Sequence, residues 1–327
     1  MSVLVTGGAG FIGSHLVDSL LARGDEVVVI DSFDPFYPAA LKEANLKAAR
    51  DHDGFTLVGG DIRDRDVVHA LPDHVDAVVH LAARAGVRAS IADPELCVDV
   101  NLLGTSVLLG LARARGIRPF IFASSSSVYG ETRDGSFRED AVADRPISPY
   151  AATKRAGELL CHADAHLHGL NCLALRFFTV YGPRQRPDLA IRRFARRLLE
   201  GEEIPRFGDG TSERDYTFVS DTVDGILAAL ERTCDGESRY EVLNLGRGEP
   251  VKLNRLIEVL SAALGVEARI RELPAQPGDV SRTLASIERA GSVLGYSPSV
   301  SFEEGIRQFA EWYLEMGARE DGVSAIA

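Results

Sequence analysis

The chain has 327 residues, 45% of them hydrophobic, and its 48 acidic against 36 basic side chains give a formal charge of −12. That length allows one large domain or two unequal ones around a substantial core, and the acidic balance excludes a nucleic-acid surface, which needs a basic stripe. No uninterrupted apolar run approaches the length of a membrane span, and the four scattered cysteines, Cys97, Cys161, Cys172 and Cys234, include no Cys-x-x-Cys pair that would announce a disulfide framework or zinc site.

Met1 and Ser2 lead straight into a strand rather than a cleavable leader, so a cytoplasmic protein with reduced thiols is expected. That strand, Val3 to Thr6, opens onto Gly7, Gly10 and Gly13, with Phe11 and Ile12 between them, and then an amphipathic run through Leu16, Leu20 and Leu21. Strand, glycine turn and helix in this order let the backbone approach a pyrophosphate whose charge the helix N-terminus favours. A second strand, 26–31, ends in Asp31, placed to accept both adenosine ribose hydroxyls and to repel a 2′-phosphate. With Ser32 next and no adjacent arginine, NAD is expected rather than NADP.

A helix after Pro38 and a third strand, 54–59, lead to Asp61 and Ile62, where Asp61 could equally cap a helix beginning near Arg63. The fourth strand, 76–83, delivers Leu81, Ala82 and Ala83 at its carboxyl end, where parallel sheets bind their ligands. Arg88 follows in a Gly-Val-Arg sequence, as a solvated surface residue or as a ligand contact. Residues 101–115 carry a helical apolar stripe.

Strand 120–125 then delivers Ser124 to Ser127, and a helix over 150–168 carries Tyr150 and Lys154. Residues four apart share a helix face, so the Lys154 ammonium can act on the Tyr150 phenol. A phenol ionises near pH 10, and making it a base at neutral pH takes about 4 kcal/mol of preference for the phenolate. Lys154 and a bound pyridinium could supply this together, while the Ser125 hydroxyl holds the same substrate oxygen.

Beyond Cys172 a strand ends at Arg176-Phe177 and the chain grows irregular, with helices near 188–200, 220–232, 252–264 and 302–316. The expected fold is α/β: a doubly wound parallel-sheet Rossmann domain over 1–175, with later strands drawn from about 176–245. Interleaved with it is a smaller mixed α/β substrate lobe over about 176–316, and 317–327 is a frayed tail. Arginines concentrate at 184, 186, 192, 193, 196, 197, 206 and 214. A diphosphate ligand is a fair inference from them, although most coat a helix whose buried side is Ile191, Phe194, Ala195 and Leu198. His162, His166 and His168 read as a solvated face, so no metal is expected.

The glycine loop, the run Ser124 to Gly130, Tyr150-x-x-x-Lys154 and Arg176 to Pro183 form an ordered set. Together they resemble the extended short-chain dehydrogenase/reductase family in its branch of nucleotide-sugar epimerases and dehydratases, over nearly the whole chain from Val3 to about Tyr313. The resemblance implies NAD, with Asp61 and Ile62 near the adenine, Ala82 and Ala83 near the nicotinamide, and a homodimer formed through the two long helices. It implies a UDP-sugar substrate whose pyrophosphate meets Arg214, and a last nucleotide-binding loop over 275–283. There Gln276 stands where galactose-type enzymes carry arginine, leaving Asp279 and Arg282 as further contacts.

Related dehydratases and decarboxylases carry an acid directly after the catalytic hydroxyl, where this chain has Ser126 and Ser127. Galactose-type epimerases carry Asn at Thr179. Short hydroxyls here, with Arg184 or Arg186, suit a C6 carboxylate, and residues 33–46 and 86–88 resemble the uronate-using branch. The resemblance therefore points to NAD-dependent C4 epimerisation between UDP-glucuronate and UDP-galacturonate through a 4-keto sugar. Another UDP-sugar 4-epimerase, a UDP-glucuronate decarboxylase and a non-catalytic NAD-binding protein remain the competing readings.

Overall fold

The computed structural model describes residues 1–131, 135–235, 239–274 and 281–317. Six strands alternate with helices through the first half: β1 (Ser2–Thr6), β2 (Glu26–Asp31), β3 (Phe55–Gly59), β4 (Ala77–His80), β5 (Pro119–Ser125) and β6 (Asn171–Phe177). Six more follow: β7 (Thr179–Tyr181), β8 (Ile204–Phe207), β9 (Glu213–Phe218), β10 (Tyr240–Leu245), β11 (Pro250–Lys252) and β12 (Ile270–Leu273). The main sheet runs β3-β2-β1-β4-β5-β6-β10 with every neighbour parallel. Strand order reverses at β1, which pairs with both β2 and β4, and this is the switch point at which doubly wound sheets bind ligands.

The central strands are apolar at successive positions because both their faces are covered. Val3, Val5, Val27 and Val29 face one layer with Leu16 and Leu20 of helix Phe11–Ala22 and Ile226 of helix Val219–Thr233. Leu4, Val28 and Val78 face the other with Leu108 and Leu111 of helix Gly104–Arg115. The first of these cores continues without a break into the second half, taking in Phe194, Leu198, Ile204, Tyr216 and Leu256. Two small sheets, β11-β9-β7 and β12-β8, carry that half.

Local details differ from the sequence reading. Strand β4 ends at His80, so Leu81 to Ala83 are irregular backbone beyond it. Asp61 caps no helix: the helix begins at Arg65, and Asp64 accepts from the amides of Asp66 and Val67 at 2.9 and 3.2 Å. Asp61 instead accepts from the Arg63 amide at 2.8 Å and from its guanidinium. The helical stretch 94–115, which includes a π-helical segment at Asp99–Leu103, is long and apolar enough by composition to cross a bilayer, yet half of it is buried in this fold. The tail 318–327 lies outside the described residues.

Candidate active site

A cavity of about 680 Å³ lies across the carboxyl ends of β1, β2, β4 and β5 and extends under the second half. Its first wall is backbone. Gly7 has φ +71°, and a Cβ there would stand 2.9 Å from the Ala82 backbone. A Cβ on Gly13 would stand 2.3 Å from the Gly7 carbonyl oxygen. Gly10 begins helix Phe11–Ala22 with no side-chain cap, which leaves the first amides of that helix for a ligand. Gly7, Gly10, Phe11, Ile12, Gly13, Asp31, Ser32, Asp61, Ile62, Leu81, Ala82 and Ala83 all line this space.

Asp31 is 7% exposed. Its carboxylate accepts from the Ala9 amide at 3.1 Å and the Phe33 amide at 2.8 Å, with the Lys42 ammonium 3.6 Å away. An ionised carboxylate offers about four acceptor positions, so capacity remains for a vicinal diol. A glycine cradle that no Cβ could enter, open helix-terminal amides and a fixed acid fit a dinucleotide with an unphosphorylated ribose. Lys42, buried against the Tyr37 ring, was not singled out from sequence, because its short helix Ala39–Asn45 shows no distinguishing pattern.

Tyr150 and Lys154 lie on helix Pro149–His168, which Ser148 caps by accepting the Ala151 amide. With Ser125 at the end of β5, they line the same cavity. Burial pushes the Tyr150 phenol above its ordinary value, and the Ser125 hydroxyl, followed by the Arg186 charge, pulls the other way. The Lys154 ammonium donates to the Ala123 carbonyl at 2.7 Å and stands 5.9 Å from the Tyr150 ring centroid. Burial lowers its pKa to about 8. Ser125 donates to the Ser127 hydroxyl at 3.1 Å and accepts the Ser127 amide at 3.2 Å.

Of the residues expected to meet substrate, Arg88, Ser127, Thr179, Arg186 and Arg214 line the cavity. Three do not. Ser126 begins the 3-10 turn Ser126–Tyr129 and is absent from the lining. Arg184 adopts φ +62°, and its guanidinium pairs with Asp18 at 2.7 Å, on the glycine-turn helix. Arg282 pairs with Glu213 at 2.9 Å. Gln276 and Asp279 lie outside the described residues.

Arg186 is held by Asp188 at 2.9 and 2.7 Å and by the Ala85 carbonyl at 3.2 Å. The Phe36 ring lies 4.6 Å from Arg84 and 5.4 Å from Arg186, and Arg84 also pairs with Asp34 at 2.6 Å. Phe36 and Arg84 are cavity residues that the sequence reading did not select, and Arg193, one of the arginines that it grouped on a helix, lines the cavity too. Arg84 had one available signal, its place immediately after the expected strand 76–83.

The model of the NAD dependent epimerase/dehydratase family matches residues 3–246. UDP-glucuronate 4-epimerase of Thermodesulfobacterium geofontis is 39% identical over 315 residues, covering 95% of this chain and 96% of that protein. The structure of UDP-glucuronic acid 4-epimerase from Bacillus cereus in complex with UDP-glucuronic acid and NAD has a TM-score of 0.89 and 38% identity, over 97% of this chain and 100% of that one. UDP-glucose 4-epimerase of Thermotoga maritima, solved with UDP-glucose, has a TM-score of 0.87 and 33% identity over 97% and 99% of the two chains.

Proposed function

The chain belongs to the NAD dependent epimerase/dehydratase family, and from that premise we propose that it interconverts UDP-glucuronate and UDP-galacturonate by inverting C4. The observation that carries the reading is the meeting of Ser125, Tyr150 and Lys154 with the glycine cradle in one cavity whose sugar end is lined by Ser127, Thr179 and Arg186. NAD, when bound, supplies a reversible acceptor for the C4 hydride. Gly7, Gly10 to Gly13, Asp31, Ser32, Asp61, Ile62, Leu81 to Ala83 and Lys154 would hold it.

Ionised Tyr150 takes the proton from the sugar O4 as C4 is oxidised, and returns it when C4 is reduced on its other face. Ser125 hydrogen-bonds the same oxygen. Buried Tyr150 needs positive charge to ionise near neutrality, and Lys154 and Arg186 line the cavity to provide it. Arg88 and Arg214 hold the diphosphate.

A 4-keto uronate is a β-keto acid that loses carbon dioxide once its C5–C6 bond aligns with the carbonyl π system. Ser127, Thr179 and Arg186 hold the carboxylate away from that alignment. Thr179→Ala should release more carbon dioxide per turnover, and unchanged release would remove this part of the reading. Incubating the protein with UDP-glucuronate and no added cofactor, and following products by NMR, tests the whole. Galacto-configured uronate is expected; turnover of UDP-glucose or UDP-N-acetylglucosamine in preference would assign the chain to another sugar.

Two copies pair through 94–115 and Pro149–His168, which leave Val98, Leu103 and Leu159 exposed on neighbouring helices. Leu159→Glu should shift sedimentation from dimer to monomer.

A further inference from the structure

Resting on the reading of Tyr150 as the proton-transfer group, we propose that Glu158 is a positioning residue: through the hydroxyl of Ser124 it sets the Ser125 hydroxyl against Tyr150. Glu158 is fully buried and outside the cavity lining, yet it collects four donors. Ser124 Oγ donates to it at 2.5 Å, Arg176 Nε and Nη2 at 2.8 Å each, and Arg155 Nη1 at 2.8 Å. Burial pushes its carboxyl up, and these partners outweigh burial and hold it below the usual range.

A buried ion pair is no general source of stability, because apolar side chains of the same volume often serve as well. Position explains what stability does not. Tyr150, Lys154 and Glu158 stand one turn apart on one helix face, and each meets the end of β5: Tyr150 beside Ser125, Lys154 on the Ala123 carbonyl, Glu158 on Ser124. The helix lies so close to the strand that a Cβ on Gly157 would stand 2.3 Å from Phe122 Cζ.

The same ion pair also holds the far end of the serine turn. The Arg176 guanidinium lies 4.6 Å over the Tyr129 ring, and Tyr129 donates to Asn244 Oδ1 at 2.7 Å. Ser124 and Tyr129 bracket the turn that carries Ser125 and Ser127. The turn is therefore anchored at both ends, to helix Pro149–His168 and to β6.

Ser124→Ala removes the rung and leaves the Glu158–Arg176 pair intact, so no buried charge is stranded. We expect kcat for UDP-glucuronate to fall about tenfold, since small displacements of reacting groups are costly, with KM changed less than about twofold and the unfolding midpoint nearly unchanged. Ser125 favours the ionised phenol, so its displacement moves the acid limb of the kcat profile to higher pH, which a purely structural defect would not do.

Ser125→Ala should move the limb the same way, and Ser124→Ala with Ser125→Ala should be no worse than Ser125→Ala alone, because both act through one hydroxyl. Wild-type kcat and limb in Ser124→Ala, or fully multiplicative losses in the pair, would overturn the assignment. Failure of the unsubstituted protein to epimerise any UDP-sugar would instead overturn the reading of Tyr150 on which it rests.

Discussion

The two ends of the cavity are built from different materials. The end proposed for the cofactor is walled by backbone: glycine carbonyls and amides, the helix start at Phe11, and one acid fixed by two amides. The other end is lined by long side chains, with Arg88 on the short helix Val87–Ala92, Arg186 on irregular backbone and Arg214 on β9. Backbone cannot be repositioned without moving its neighbours, whereas a guanidinium on a flexible stem can be redirected by a single acid, as Asp18 redirects Arg184. The comparison teaches that the first surface is intolerant of added atoms, and the second depends on where each arginine's acid partner directs it.

The largest effect should come where the two ends meet. Tyr150→Phe is expected to lower kcat by about 10³-fold or more while the purified protein still retains NAD, measured by product NMR and by cofactor release on denaturation. At the backbone end, Gly13→Ala puts a methyl group against the Gly7 carbonyl, and should cost about 1–3 kcal/mol of stability and most cofactor retention. At the side-chain end, Arg214→Ala should raise KM for the UDP-sugar by about tenfold or more, the worth of a charge-assisted hydrogen bond.

A pH effect separates the halves further. Burial holds His80 down to about 3, between the hydroxyls of Thr6 and Thr105 at 2.7 and 2.9 Å. The unfolded imidazole takes a proton near 6.5, so below that pH the unfolded state binds more protons and stability falls as pH falls. The slope should approach about 1 kcal/mol per pH unit across this window. His80→Asn should start less stable but show a flatter dependence in denaturant titrations between about pH 6 and 4. The smallest effect belongs to Arg184→Ala, expected within about twofold of wild type in KM because its partner is Asp18 rather than the cavity. A large rise there would erase the distinction between redirected and ligand-facing arginines.

Much of the cofactor end was legible in the sequence because local spacing sets it. The order of β1, glycines and helix dictates both the turn and the direction of its amides, and Asp31 follows from the end of β2. The substrate end depends on pairings between residues distant in the chain. Nothing in the spacing of Arg184, Arg186 and Arg192 says that the first meets Asp18, the second Asp188, and that the third is buried beneath Trp312 and Tyr313. Helical periodicity gave Tyr150 and Lys154 one face, but not that the ammonium would be claimed by the Ala123 carbonyl. Glu158 shares their face and would ordinarily be read as solvated; only the approach of Arg176 from β6 reveals its burial.

The last strand of the main sheet, β10, pairs with β6 although β7, β8 and β9 intervene in the chain. During synthesis, the ribosome must therefore release the polypeptide through Leu245 before the β6 edge acquires its native neighbour. Until then the nascent chain carries an unpaired apolar margin, the kind of edge that recruits chaperones or strands of other molecules. A truncation ending before residue 240 should be an aggregating fragment rather than a free-standing cofactor module.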